Sequence, residues 1–200
     1  MSALVMLALT LGIASSDQTR VTPPSSRLTV TVTVQDYASV PSGWLRQATN
    51  EMARIYHEIG VEIVWWDPPQ SSSQTGPQDL LIVIIRATSE SSERNYPGNA
   101  MGAASGTAND RGRVAYIFYN RTAQFTPLYR GRFLGHFMAH EVGHLLLPQY
   151  SHSPTGLMRA QWSRDDLERA QYGRLGFTSE QATLIRSKVA KVAGPTPNPQ

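Results

Sequence analysis

Residues 133–158 read FLGHFMAHEVGHLLLPQYSHSPTGLM. His140, Glu141 and His144 form an H-E-x-x-H pentad inside an apolar run, and His152 follows His144 by eight residues. With 5 His and 8 Glu in 200 residues, chance supplies such a pentad about 0.005 times, so the pattern calls for a chemical explanation. On a helix, residues four apart lie one turn apart on one face, so His140 and His144 can grip a single ion. Glu141 leaves the helix at a neighbouring angle, suited to a water beside the metal and not to the metal itself. Imidazole nitrogens suit zinc, which takes about four tetrahedral ligands. Two histidines leave that set incomplete.

The span from 133 to 147 predicts one helix. Pro148 disfavours helical geometry at Leu147 and stops it. An irregular stretch from 148 to 160 follows, and in it His152 is the candidate third ligand, with enough chain before it to turn back toward the metal. Three imidazoles and one water make an open catalytic site, not a closed structural one. Zinc lowers the pKa of its water from near 16 toward about 7 and polarises a carbonyl. Glu141 would accept the water's proton and pass one to the leaving amine. The expected reaction is peptide-bond hydrolysis, with one Zn2+ ion and a peptide or protein substrate. Other third ligands remain open: Glu168 on a later helix, with Asp165 and Asp166 beside it, or Tyr150. His136 lies one turn before His140 and reads as a packed helix residue, because the missing ligand must approach from off the helix. Tyr119 and Tyr129 are candidates for stabilising an oxyanion, and nothing in the sequence selects either.

This segment resembles the zincin metallopeptidases, and the third histidine with a methionine after it makes it metzincin-like. That resemblance implies an α+β domain with a mixed sheet packed with helices, and a helical H-E-x-x-H followed by a Met-turn. It implies His140, His144 and His152 as zinc ligands, Glu141 as the base and Met158 as the Met-turn residue. It also implies an edge strand that binds extended substrate antiparallel, matched here to residues 101–107. The sequence departs from the family's spacing. A glycine is usual at position 147 and a histidine at 150, where this chain has Leu147 and Tyr150, with His152 two residues late. Met158 equally suits an ordinary core position.

The rest of the chain predicts the same layout. Leu28, Val30, Val32 and Val34 alternate with threonines, which is a half-buried strand. Leu45, Ala48, Met52, Ile55 and Ile59 recur at threes and fours after Pro41, and Gly60 supplies a stop. Residues 61–66 read as a strand, and the apolar run 80–85 as a central one. Residues 101–107 and 114–119 can pair as a hairpin through a turn at 109–112. Ser163 caps a helix over 164–172, and Thr178 with Gln181 opens a last helix that ends near 193. Strand, helix, several strands, then helices is an α+β order. The loops at 67–78 and 87–99 would build much of the cleft.

Composition bounds the alternatives. The chain of 200 residues is long enough for one domain with a real core, and its net charge is +3. Its 16 Arg and 2 Lys are scattered, which argues against nucleic acid as a partner. There is no cysteine, so any metal site uses His and carboxylate ligands. Acidic residues are few and dispersed, which gives no calcium site. Residues 1–14, MSALVMLALTLGIA, with Ala14-Ser15-Ser16 after them, read as a signal peptide over 1–16, cleaved before Asp17. The run is short for a bilayer span and lacks a leading Lys or Arg, so an uncleaved N-terminal anchor is the alternative. Secretion or periplasmic export is expected. Residues 17–26 read as a linker, 27–193 as the catalytic domain and 194–200 as a tail. Oligomeric state is open. Two further activities fit the same site: a metal-retaining protein without proteolysis, and a zinc amide hydrolase acting on a non-peptide substrate.

Overall fold

The computed structural model describes residues 27–66, 80–86, 100–105 and 113–193. The signal, linker, loop, turn and tail assignments at 1–26, 67–79, 87–99, 106–112 and 194–200 lie outside them. Among the described residues, no helix is long and apolar enough to cross a membrane.

Five strands form one mixed sheet, and helices pack on it. The strands are β1 (Leu28–Asp36), β2 (Val61–Trp65), β3 (Leu80–Ile85), β4 (Gly102–Ser105) and β5 (Val114–Phe118). Their order across the sheet is β2-β1-β3-β5-β4. All neighbours run parallel except β4, which pairs antiparallel with β5 through Gly102↔Ile117 to Ser105↔Val114. The apolar run at 80–85 is the central strand, as its composition predicts, with Ile82 and Ile84 fully buried. The alternation in β1 buries Val30 and Val32 and leaves Thr29 exposed.

Helix α1 (Ser42–Glu58) carries the chain from β1 to its parallel neighbour β2, a connection that cannot be a tight turn. The Asp36 carboxylate organises its entry, accepting from Ala38 N at 2.9 Å and Val40 N at 2.8 Å. Gly60, at φ +76°, reverses the chain at the other end, where a side chain would be strained.

The site helix, α2 (Pro127–Leu146), starts six residues earlier than the periodicity of 133–147 indicates. Thr126 is extended and Pro127 occupies the first turn, a common way to begin a helix. Leu128 in that turn is largely exposed, so the apolar repeat fades before the helix does. From Phe133 onward nearly every residue of α2 is buried.

Helices α1 and α2 pack at close range. A Cβ added at Gly131 would lie 2.8 Å from the Trp44 carbonyl oxygen, and one at Gly135 would lie 2.5 Å from the Ala48 carbonyl oxygen. Further along, the buried Tyr56 hydroxyl donates to the Ala139 carbonyl at 3.1 Å. Glycine is therefore required where the backbones approach. Gly135→Ala gains about 1 kcal/mol of intrinsic helix propensity. The opposing clash is with backbone, which cannot rotate aside, and overpacking of that kind costs typically about 1–3 kcal/mol. We expect a net loss of stability, read as a lower urea midpoint; a midpoint at or above wild type would show that the helices separate freely.

Two shorter helices complete the domain: α3 (Arg164–Gln171) and α4 (Ser179–Ala193). Ser163 and Asp166 form a reciprocal capping box at the start of α3. Thr178 and Gln181 do the same for α4, with Gln181 Oε1 accepting from Thr178 N at 3.0 Å and Thr178 Oγ1 accepting from Gln181 N at 3.3 Å.

Candidate metal centre

Three histidines converge at the C-terminal end of α2. His140, His144 and His152 each offer a ring nitrogen, and these atoms lie within 4.8 Å of one another. His140 Nε2 and His144 Nε2 are 3.1 Å apart. Leu147 is extended and ends the helix before Pro148, as the sequence indicates. The chain then turns through Tyr150, at φ 58°, and brings His152 back over the helix face. Its ring centroid is 4.7 Å from that of His144 and 5.5 Å from that of His140.

The outer nitrogens show what the inner ones can do. His140 Nδ1 is 2.7 Å from the Leu157 carbonyl oxygen, which only accepts, so Nδ1 carries the proton and Nε2 presents a lone pair. His144 Nδ1 is 3.0 Å from Ser151 Oγ, a hydroxyl that accepts or donates, so the tautomer with its lone pair on Nε2 is open to His144 as well. With both rings in that form, two nitrogens 3.1 Å apart would share a cation. Nitrogens 2.0–2.1 Å from a tetrahedral zinc stand about 3.4 Å apart, so the donor set fits that ion. The Leu157 carbonyl also accepts from Trp162 Nε1 at 3.1 Å. Trp162 stacks on Phe137 and meets His140 edge-on.

Glu141 lies on the same turn and is buried. A Cβ added at Gly102 of β4 would lie 2.6 Å from Glu141 Cγ and 2.8 Å from its Oε1. The carboxyl thus lies against the sheet's edge strand at its one residue without a side chain. Met158 is fully buried, and its sulfur lies against Gly143, between the pentad's Glu and second His.

The rival ligands sit elsewhere. Glu168 and Asp165 are exposed on α3. Asp166 is buried in its capping box and pairs with Arg159 at 3.0 Å. Tyr150 is 97% exposed. None of the three carboxylates joins the three-histidine group. His136 is fully buried behind the site, with Nδ1 donating to the Arg132 carbonyl at 3.0 Å and Nε2 3.6 Å from Glu51 Oε1. Tyr119 is buried at the start of a 3-10 turn (Tyr119–Gln124) with the Arg86 guanidinium over its ring. Tyr129 lies on the first turn of α2. The sequence reading missed the positioning groups: the Leu157 carbonyl, Trp162, Gly102 and Gly143. Only Gly102 left a usable signal, as a glycine within a strand, which often marks a close approach.

Burial sets the protonation states. It pushes His140 down to about 4, against the opposing bond to Leu157. It pushes His144 down to about 3, with the His140 and His152 imidazoles adding to the effect. Both are neutral at physiological pH, as ligation requires. Burial pushes Glu141 up to about 8, so the metal-free protein holds this carboxyl protonated at neutral pH.

These shifts predict a bell-shaped stability for the metal-free protein. Unfolded histidines titrate near 6.5, whereas His140 and His144 refuse protons when folded, so acid below that value favours unfolding. The buried His136 adds to the same side. Glu141 acts in the opposite sense: the folded chain keeps its proton up to about 8 and the unfolded chain releases it near 4.5. Its contribution declines as pH rises through that window. Two histidines outweigh one carboxyl on the acid side, and Glu141 acts alone above 6.5. Tm measured after metal removal should therefore peak near pH 6.5, and Glu141→Gln should flatten the alkaline limb. A Tm that climbs steadily through pH 8 would contradict this.

No family model matches the sequence, and no curated protein matches it. Among solved structures, the chain is similar to an archaemetzincin from Methanopyrus kandleri. Identity is 16%, coverage is 84% of this chain and 98% of that one, and the TM-score is 0.49. It is also similar to a zinc-dependent peptidase from Methanocorpusculum labreanum, at 12% identity, 78% and 99% coverage and a TM-score of 0.46. Likenesses at this level carry no residue-by-residue correspondence.

Proposed function

We propose that this chain is a zinc-dependent peptidase, metzincin-like in its site, that hydrolyses peptide bonds. The observation that carries the reading is the convergence of three imidazoles, with Nε2 of His140 and of His144 3.1 Å apart, on a helix turn that also bears a buried carboxyl. His140, His144 and His152 would hold one zinc ion. Zinc held there would supply a Lewis acid, which eases deprotonation of water and polarises a substrate carbonyl.

The remaining work belongs to the chain. Leu157, fixed by Trp162, keeps His140 in the ligating tautomer, and Ser151 would accept from His144 Nδ1 when that ring ligates. Glu141 accepts a proton from the attacking water. As the C–N bond breaks, that proton passes to the leaving nitrogen, so the carboxyl ends as it began. Its burial raises its affinity for that proton, and the charged carboxylate that accepts it would be favoured by a zinc ion held nearby. Met158 fills the space beneath the helix at Gly143, the role of a Met-turn residue.

Strand β4 has β5 on one side and is last in the sheet order. An extended peptide can add to such an edge through main-chain hydrogen bonds, with alternate side chains directed to opposite faces. That arrangement would carry a peptide carbonyl past Gly102 toward Glu141. The experiment compares wild type with Glu141→Gln for zinc content and for hydrolysis of casein or a peptide library. An acyl-amide panel run alongside identifies a non-peptide substrate if peptides remain intact.

A further inference from the structure

We propose that Gln181, on the first turn of α4, is a positioning residue that sets His152 and His144 for the metal. The proposal rests on the zinc reading above. Gln181 is buried, and the two ends of its amide act on different parts of the fold. Oε1 accepts from Thr178 N and caps the helix. Nε2 donates to Ser153 Oγ at 2.9 Å and, at the long limit, to the Ser151 carbonyl at 3.4 Å. The network fixes which end is which, because Thr178 N–H can only donate and the Ser151 carbonyl can only accept.

Ser151 and Ser153 flank His152. Ser151 Oγ is also the partner of His144 Nδ1. One amide, some thirty residues away in sequence, thus ties down both neighbours of the third imidazole and the residue that orients the second. The segment needs such a tie. It has no helix or strand of its own, and its other anchors here are Ser153 N to the Met158 carbonyl at 3.0 Å and Ser153 Oγ to the Thr155 carbonyl at 2.7 Å. A ligand on an unpinned loop must be ordered when the metal arrives, at the expense of affinity.

Glutamate would serve a capping box as well as glutamine. Only glutamine brings the N–H donors, so Gln181→Glu separates the two tasks. It keeps the cap, and a carboxylate is favourable at a helix N-terminus. It loses both donations and sets an oxygen against the Ser151 carbonyl. The converse variant, Thr178→Ala, weakens the cap and leaves the amide's bonds to the loop.

The test uses the full chain with Zn2+ alone, titrated against a competing chelator, and with Co2+ as a spectroscopic probe. Gln181→Glu should lower the metal-free Tm by no more than Thr178→Ala does, weaken zinc binding by roughly 10- to 100-fold and alter the visible Co2+ spectrum. Thr178→Ala should lower Tm while zinc affinity and the Co2+ spectrum stay as in wild type. Wild-type affinity in Gln181→Glu overturns the proposal, as does an equal loss in Thr178→Ala, which would reduce Gln181 to a general structural role. A separate result would remove the zinc reading itself: wild type taking up no stoichiometric zinc, or His140→Ala binding it as tightly as wild type.

Discussion

Glu141→Gln should keep one zinc per chain and lose peptide hydrolysis by a factor on the order of 10³, within the range that a positioned general acid–base group supplies. The substitution is nearly isosteric, so it leaves the contact with Gly102 and the helix packing in place. What it removes is the ability to take a proton from water and hand it on. It also removes a carboxyl whose burial is unfavourable when charged. The variant should therefore be no less stable than wild type above pH 7, which separates lost chemistry from lost fold. Zinc content is measured by metal analysis and hydrolysis by initial rates on the same preparation. Equal rates in the two proteins would take Glu141 out of the mechanism.

His152→Ala should weaken zinc binding by about 100-fold or more, since losing a ligand ought to exceed the 10- to 100-fold effect of losing an outer partner. His152 is exposed, so its removal leaves the core intact and costs little stability, within about 0.5 kcal/mol. Glu168→Ala, on the outer side of α3, should bind zinc as wild type does. Chelator competition measures both. If Glu168→Ala loses affinity and His152→Ala keeps it, the third ligand comes from α3 and the loop geometry after Pro148 has another purpose.

Much of this site is local and therefore legible in sequence. The four-residue spacing of His140 and His144 needs only a helix to become a pair of facing imidazoles, and Pro148 needs only its ring to end that helix. Capping residues such as Ser163 and Thr178 carry their own short-range chemistry. The β1 alternation and the apolar run of β3 likewise state their burial directly. The start of α2 was hidden, because residues 127–132 make their contacts through Gly131, Tyr129 and two arginines instead of an aliphatic stripe. The supports of the ligands were hidden for a different reason. Leu157 acts through its carbonyl, which no side-chain pattern reports, and Gln181 acts across some thirty residues of intervening chain. Such pairings exist only once the sheet and helices have assembled.

The interlock at Gly131 and Gly135 has a mechanical consequence. With carbonyl oxygens of α1 seated where side chains would otherwise stand, and Tyr56 latched to Ala139, the rod bearing His140 and His144 can neither slide nor roll as a unit. Two of the three imidazoles proposed to grip an ion are thus part of the chassis. The third is borne by the strap beyond Pro148, so any accommodation to ions of different radius would have to come from side-chain bonds there.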